Sequence, residues 1–358
     1  MRTGNIESIE SDYWWGIRGI CIMAVCGIHV TASWNDLLRV GLGMVVFRQL
    51  INFPVAVFVF LAGYFVDEAK LRADRRGWVL SRCRRLLVPY LFLWLATVAW
   101  NYGMGNRLNW KGLLAGFLLG SSEVQLYYVP MLLQLILLTP LLVRWARHRA
   151  FRIGAVSLSL LIAATNLTEA VSLPVPAGFL GCTWGGFYVC GLYARQVRGA
   201  GQEPGKKRRA VLLCRAFVSL AAAAAAAAAA LCFYAKVVGG QKGYAIGQIR
   251  PLNFLYLLFL VEVLSVYATR VTGQLVESGV WILFGKLGRA SFGIYLIHML
   301  VLRVCERLLP DGSLLGKGSG FPVLAQVSVW GLVLFFSYGL VLGSRRLLAF
   351  PGKYGKAV

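Results

Sequence analysis

Acidic side chains and histidines are scarce in this chain: 14 Asp and Glu stand against 37 Lys and Arg, with three His among 358 residues. The cysteines, Cys21, Cys26, Cys83, Cys182, Cys190, Cys214, Cys232 and Cys305, form no C-x-x-C pair and keep no ligand-like spacing with His. Most lie inside apolar runs, where Cys behaves as a small hydrophobe. That pattern argues against a metal site or a disulfide framework. A long polar stretch that could fold as a separate soluble domain is also missing. The start, Met1–Tyr13, carries Glu7, Glu10 and Asp12 without a small-residue cleavage pattern, which is unlike a signal peptide.

Apolar sequence is what the chain has in excess. Hydrophobic residues make up 58% of it and the mean hydropathy is +0.68. A soluble domain must wet its exterior and cannot hide that much apolar surface. Roughly 20 apolar residues cross a bilayer, and runs of that kind recur throughout. The reading is an all-α polytopic membrane protein with about ten spans. These are Trp14–Ser33, Val45–Val66, Leu86–Tyr102, Leu126–Trp145, Phe151–Leu167, Ala177–Ala194, Ala210–Val238, Leu252–Thr269, Val280–Val304 and Val323–Leu342. Gly112–Gly120 is apolar but too short to cross, which suits an interfacial or re-entrant piece. Residues 1–358 form a single membrane-embedded domain on this reading, with no appended soluble domain.

The net charge of +23 first suggests a partner rich in phosphate, because basic proteins often bind nucleic acid electrostatically. Its distribution argues against nucleic acid. The cations sit in short loops between spans, as retention of Lys and Arg on the cytoplasmic side predicts. With the N-terminus inside, the loops Asp67–Arg85, Arg144–Arg152 and Arg195–Arg215 are cytoplasmic and hold most of the charge, and both termini face the cytoplasm. The tract Ala221–Ala230 is helix filler, alanine being the best helix former. The basic run Arg198–Arg209 is a solvated loop near anionic headgroups.

Charged groups inside spans are costly and each needs an account. The sharpest case is Arg18-Gly-Ile-Cys-Ile-Met-Ala-Val-Cys-Gly-Ile-His29 in the first span. Eleven steps of ~100° bring Arg18 and His29 to within about 20° on one helix face, about 16 Å apart along the axis. Arg18 then lies near the cytoplasmic mouth and His29 deep in the membrane, where a neutral imidazole can accept a proton. The plainer alternative is that Arg18 snorkels to headgroups and His29 makes a packing hydrogen bond.

The chain resembles the acyltransferase-3 family of integral membrane acyltransferases over nearly its whole length. That family's first helix carries Arg, ten residues, then His, beginning Arg-Gly-Ile, and Arg18 to His29 matches at both ends. Phe53-Pro54-Val55-Ala56-Val57-Phe58-Val59-Phe60-Leu61-Ala62-Gly63-Tyr64 is similar to "VPLFFFLSGY", and Arg82-Cys83-Arg84-Arg85-Leu86-Leu87-Val88-Pro89-Tyr90 to "kRlrRLLiPY". Leu126-Tyr127-Tyr128-Val129-Pro130 resembles the aromatic start of the family's fourth span. Ser291-Phe292-Gly293-Ile294-Tyr295-Leu296-Ile297-His298 resembles "SygIYLiH". The chain departs from the pattern at Tyr13-Trp14-Trp15-Gly16-Ile17, at Ala62 where Ser is usual, and at a fourth-span start without Trp.

The resemblance implies a membrane-bound O-acyltransferase in the cell inner (cytoplasmic) membrane, with no permanently bound cofactor. The donor substrate would be acetyl-CoA or another acyl-CoA from the cytoplasm. The acceptor would be a hydroxyl of a cell-surface or exported polysaccharide, or its lipid-linked precursor, and polysaccharide assembly proteins are candidate partners. A sugar hydroxyl is a poor nucleophile until its proton is taken, which makes His29 the candidate general base; an acylated His29 is the alternative. Arg18 is the second candidate catalytic residue: it is expected to hold the donor's phosphate or pantetheine portion, the alternative being stabilisation of the thioester oxyanion if the gap of three helical turns is closed. Arg82, Arg84 and Arg85 are candidate donor-binding cations at the cytoplasmic face, guanidinium suiting phosphate, with ordinary positive-inside charge as their alternative. His298 is placed either in the same cavity or in a structural hydrogen bond of its own turn; Ser291, Tyr295 and Glu123 are further candidates for an acceptor cavity. Arg48 and Glu262 are read as a structural pair, and Lys286 and Arg289 as anchors flanking a break in the ninth span. The competing function is an exporter or flippase of polysaccharide or lipid-linked sugar without acyl-transfer chemistry. Its usual inverted repeats are not evident in the sequence.

Overall fold

The computed structural model describes residues 6–33, 42–105, 109–165, 181–198, 206–236, 247–309, 311, 313 and 320–348. Among these the regular elements are all helices: α1 (Ile6–Ser33), α2 (Leu42–Leu50), α3 (Pro54–Tyr64), α4 (Glu68–Ala73), α5 (Arg75–Gly103), α6 (Trp110–Leu118), α7 (Tyr128–Trp145), α8 (Arg149–Ala164), α9 (Cys182–Gln196), α10 (Lys206–Lys236), α11 (Pro251–Ala268), α12 (Gly273–Val276), α13 (Gly279–Leu308) and α14 (Pro322–Leu348). A backbone in hydrocarbon must satisfy its own polar groups, and helices do this within one segment.

Among the described residues, seven stretches are long and apolar enough to cross a membrane: Ser8–Ala32, Gly43–Tyr64, Arg75–Gly103, Tyr128–Trp145, Pro251–Ala268, Gly279–Leu308 and Pro322–Arg345. Each underlies one of the expected spans. The other three expected spans fall on α8, α9 and α10. Here α8 has 16 residues and α9 has 15, and the apolar part of α10 among the described residues is Leu213–Ala228. Residues 166–167, 177–180 and 237–238 of those expected spans lie outside the described residues.

Helix starts are set by local chemistry. The side chains of Asp67, Asp74, Asn109 and Ser278 accept hydrogen bonds from the backbone N–H groups of Lys70, Gly77, Gly112 and Trp281, capping α4, α5, α6 and α13. Asp67 lies outside the spans, and the backbone hydrogen bond from Lys70 holds its carboxyl below the usual carboxylate range. Pro54 and Pro251 open α3 and α11, where a missing N–H costs nothing. The second expected span is thereby split, with Ile51–Phe53 separating α2 from α3.

The chain divides into two compact units, Met1–Arg39 with Gly273–Val358, and Val40–Thr272. In the second unit α3 packs on α9, α10 on α11, and α8 on α9. The α3–α9 seam is made of glycine: a Cβ at Gly63 would collide with the Tyr188 carbonyl, and one at Gly191 with the Phe60 carbonyl. Helices lacking a hydrophobic drive toward each other associate through such close approach. Tyr188 and Thr139 share a buried hydroxyl hydrogen bond of 2.6 Å that ties α9 to α7.

Two expectations are corrected. Arg48 and Glu262 do not pair. Arg48 Nη1 donates to Asn52 Oδ1 at 2.6 Å, four residues on, while Glu262 takes Arg215 at 3.2 Å. The reason is reach. The α11 residues that meet this region lie near the helix start: Tyr256 donates to the Leu50 carbonyl at 3.1 Å, and Asn253 donates to Gln49 at 3.1 Å. Glu262 lies about 13 Å beyond Asn253 along that helix. Nor is the ninth span broken near Lys286 and Arg289. Helix α13 runs unbroken over 30 residues, because Gly285 and Gly288 remain helical, and at Gly288 another backbone packs directly against the helix.

In the first unit, α1 lies along α13 and both contact α14. Gly16 meets Trp281, Gly19 meets Phe284, and Gly288 meets the Trp15 carbonyl. With Arg18 bonded to Ser291 and His29 beside His298, contacts advance together along both helices, so α1 and α13 run in the same direction. Gly293 meets Val341, and Arg345 Nη2 donates to the Arg289 carbonyl at 2.7 Å, so α14 runs opposite to α13. Trp330 Nε1 donates to the Met23 carbonyl at 2.9 Å and fixes α14 against α1.

Candidate functional site

The first unit gathers five of the residues singled out from sequence onto one helix seam: Arg18, His29, Ser291, Tyr295 and His298. Gly16, Gly19 and Gly288 let α1 and α13 approach closely, which brings side chains on the flanks of the seam within bonding distance. Near one end, Arg18 Nε donates to Ser291 Oγ at 3.3 Å. Its guanidinium lies 4.8 Å from the Trp15 ring centre, a cation–π distance. Further along, the His29 and His298 rings stand 5.0 Å apart, and Tyr295 lies 5.9 Å from His298. Arg18 and His29 therefore both meet α13, as two residues on one face of α1 should.

His298 is fully buried. Its Nδ1 lies 2.7 Å from the Tyr295 carbonyl and 3.2 Å from the Ile294 carbonyl. A carbonyl can only accept, so Nδ1 carries the hydrogen, and in the neutral ring Nε2 holds the lone pair. The ring thus makes the hydrogen bond of its own turn, one of the two readings from sequence, and also lies beside His29. A half-buried His29 next to a buried imidazole of fixed tautomer is an arrangement suited to moving a proton.

Trp15, which in sequence reads only as a departure from the family pattern, belongs to the same seam. It stacks on Arg18 and lies 5.5 Å from the Arg289 guanidinium. Arg289 also pairs with Asp12 at 3.0 Å, both half exposed, and such a surface pair contributes little to stability. The signal available was the spacing Trp15–Arg18, three residues apart on one helix.

The remaining candidates belong to the second unit. Arg82, Arg84 and Arg85 are not in a loop as expected but on α5, which begins at Arg75. Arg82 is half buried over the Trp78 ring at 5.3 Å, and Arg84 and Arg85 are exposed. On a helix Arg82 and Arg85 are about 60° apart and Arg84 about 160° from Arg82, so the three do not form one face. A different cationic concavity of about 330 Å³ is lined by Arg72, Arg75, Arg144 and Arg147 with Glu68. Glu68 bridges Arg72 and Arg147 at 3.0 and 3.1 Å, which leaves the pocket with an excess of positive charge. Only folding brings α4, α5 and α7 together there, so the pocket has no linear signature. Glu123 is buried in the turn before α7.

Arg48, Gln49, Asn52 and Asn253 form a buried polar cluster joined by Arg48–Asn52, Asn52–Gln49 and Asn253–Gln49 hydrogen bonds. From sequence only Arg48 stands out. The i, i+4 spacing to Asn52 is the readable part of the cluster.

The helices and this seam define a multi-pass membrane protein that carries an Arg/His constellation on a pair of closely packed helices. A family model described as an acyltransferase domain, acyltransferase-3, matches residues 12–344. The chain belongs to that family and is a membrane acyltransferase. No curated protein and no solved structure matches it.

Proposed function

We propose that this protein transfers an acetyl group from cytoplasmic acetyl-CoA to a hydroxyl of a cell-surface or exported polysaccharide, or of its lipid-linked precursor, in the cytoplasmic (inner) membrane. The observation that carries the site assignment is the α1–α13 seam, where Arg18 and His29 meet Ser291 and His298. His29 acts as general base on the acceptor hydroxyl. The hydroxyl oxygen attacks the thioester carbonyl, the C–S bond breaks, and CoA leaves as the thiol after taking a proton. The oxyanion formed on the way needs a positive or hydrogen-bonding partner. Arg18, held by Ser291 and Trp15 and about 16 Å from His29 along α1, serves the donor rather than that oxyanion. Within the second unit, Arg82 and Arg85 and the pocket of Arg72, Arg75, Arg144 and Arg147 offer the cations that a CoA phosphate needs.

Ten spans with both termini in the cytoplasm is the topology that goes with this reading. Helices α1 and α13 run in the same direction, so the chain between them must cross the membrane an odd number of times. Four of the long apolar stretches lie between them. An odd total therefore needs crossings from among α8, α9 and α10, and all three crossing gives the ten-span count.

The test is the ester content of the cell's polysaccharides, read by mass spectrometry with and without the gene and with His29→Ala in its place. Loss of acetyl ester in both supports the reading. Unchanged ester in the deletion sinks it, and changed polymer export with unchanged ester content would favour an exporter.

A further inference from the structure

Several buried polar atoms have no role in acyl transfer as proposed, and one of them lies beside His29. His298 Nε2 is enclosed and has no hydrogen-bond partner among the described residues. An unpaired acceptor buried away from water is costly, and native structures keep few of them. The tautomer is not adjustable: Nδ1–H is committed to the Tyr295 and Ile294 carbonyls, so Nε2 of the neutral ring is an acceptor only. On the other helix of the seam stands His29, with its ring centre 5.0 Å away. A linear N–H···N hydrogen bond between two imidazoles places the ring centres about 5 Å apart, given a nitrogen–nitrogen distance of about 2.9 Å. The separation admits a hydrogen-bonded pair, reached by turning the His29 ring in place.

We propose that His298 is the positioning residue of the general base, its Nε2 accepting the N–H of His29 while the other nitrogen of His29 takes the acceptor's proton. This inference rests on His29 being the base. In the step itself the hydroxyl O–H bond breaks and a new N–H forms on His29. The hydroxyl oxygen bonds to the acyl carbon, and the C–S bond breaks. His29 is then an imidazolium with two N–H groups, one aimed at His298 Nε2, and it returns the new proton to the departing thiolate. His298 gains and loses nothing. It does for His29 what an orienting carboxylate does in a nucleophile–base–orienter triad, fixing tautomer and ring plane and stabilising the cation. A neutral imidazole suits a membrane interior better than a carboxylate would, because it brings no second charge to bury. The Tyr295 carbonyl, by holding Nδ1–H, sets the direction in which Nε2 points, so the backbone of α13 is the last member of the chain.

Two substitutions separate this role from packing. His298→Asn keeps an N–H near the position of Nδ1, preserving the bond to the Tyr295 carbonyl, but removes the acceptor at Nε2. His298→Gln is longer, and its carbonyl oxygen reaches the place of Nε2. The assay is release of CoA thiol at saturating acetyl-CoA by purified protein, with membranes of the gene-deleted cell as acceptor source. The expected result is turnover about 100-fold lower in His298→Asn, within about tenfold of wild type in His298→Gln, and an unchanged apparent KM for acetyl-CoA in both. Size-exclusion chromatography of each variant shows that it is folded. Wild-type turnover in His298→Asn, or a His298→Gln no better than His298→Asn, overturns the proposal. His29→Ala run alongside separates the two ideas. If it keeps turnover, the base assignment falls and the pairing with it; if it is inactive while His298→Asn is fully active, the pairing alone falls.

Discussion

Replacing Gly288 by alanine should damage both stability and catalysis, although the change adds one methyl group in the middle of a helix. On propensity alone, Gly→Ala in a helix gains about 1 kcal/mol. At Gly288 the new Cβ would overlap the Trp15 carbonyl and crowd the Gly19 amide nitrogen. These are backbone atoms of α1, so no rotamer change can relieve them. Restoring an ordinary C···O contact of about 3.3–3.6 Å requires the seam to open by roughly 1 Å or more. Overpacking of this kind costs about 1–3 kcal/mol, which outweighs the propensity gain over most of that range. The catalytic effect should be larger, because misplacement by about 1 Å can cost about 100-fold in rate, and the Arg18–Ser291 and His29–His298 pairs both depend on this seam. Gly285→Ala, one turn earlier on α13, is the control, since its Cβ would meet nothing within 4 Å. The assay is thermal unfolding of the purified protein beside acetyl transfer. Gly288→Ala should melt lower than wild type and be nearly inactive, while Gly285→Ala melts no lower and stays active. If the two alanine variants behave alike, backbone contact at the seam is not what sets the site.

His29→Ala should lower acetyl transfer by about 10²–10⁴-fold with near-normal expression and membrane insertion, checked by polysaccharide ester content and membrane blotting. Arg18→Lys should show a large defect despite keeping its charge, because Lys lacks the planar fork that bonds Ser291 while stacking on Trp15; acetyl-CoA binding without acceptor measures it, and normal binding would send Arg18 back to headgroup anchoring. Arg82→Ala and Arg85→Ala should each weaken apparent donor affinity, more so at high salt, while Arg84→Ala, on another face of α5, should do less. Cysteine labelling in a background stripped of native Cys should find Asp67–Arg85, Arg144–Arg152 and both termini cytoplasmic; outer accessibility of 198–209 would overturn the ten-span count.

The helical class and seven of the spans were legible because hydrocarbon imposes one rule, a long apolar helix, that leaves its mark in composition. Places where the rule is relaxed were harder to read. The break at Ile51–Phe53 is hidden inside an apolar run, and Pro54, which marks it, is equally at home in a kinked helix. The opposite error came at Lys286–Arg289, where two cations and two glycines look like an interruption. They belong to a continuous helix, because glycine in a membrane seam serves packing and not breakage. Arg82, Arg84 and Arg85 were legible as cations at a span end but not as a helix, since the Asp74 cap that starts α5 has no apolar run close behind it.

The site was legible to the extent that its parts lie close along the chain. Arg18 and His29 share a helix, so their common face follows from 3.6 residues per turn alone. That Ser291 meets Arg18 across 273 positions does not follow from any local pattern; the family resemblance marked Ser291-Phe292-Gly293-Ile294-Tyr295-Leu296-Ile297-His298 as a segment but not as the other wall of the seam. What joins the two is the glycine set. Gly16, Gly19 and Gly288 carry no chemistry, yet without them α1 and α13 could not approach so closely and the two histidines would stand further apart. A residue that acts by having no side chain leaves no chemical signature. Forty glycines in the sequence make the three that matter indistinguishable until the helices are seen together. The first unit thus holds the candidate base on its two most closely packed helices, where positions are least free to drift, and this is what a reaction dependent on close placement of a base requires.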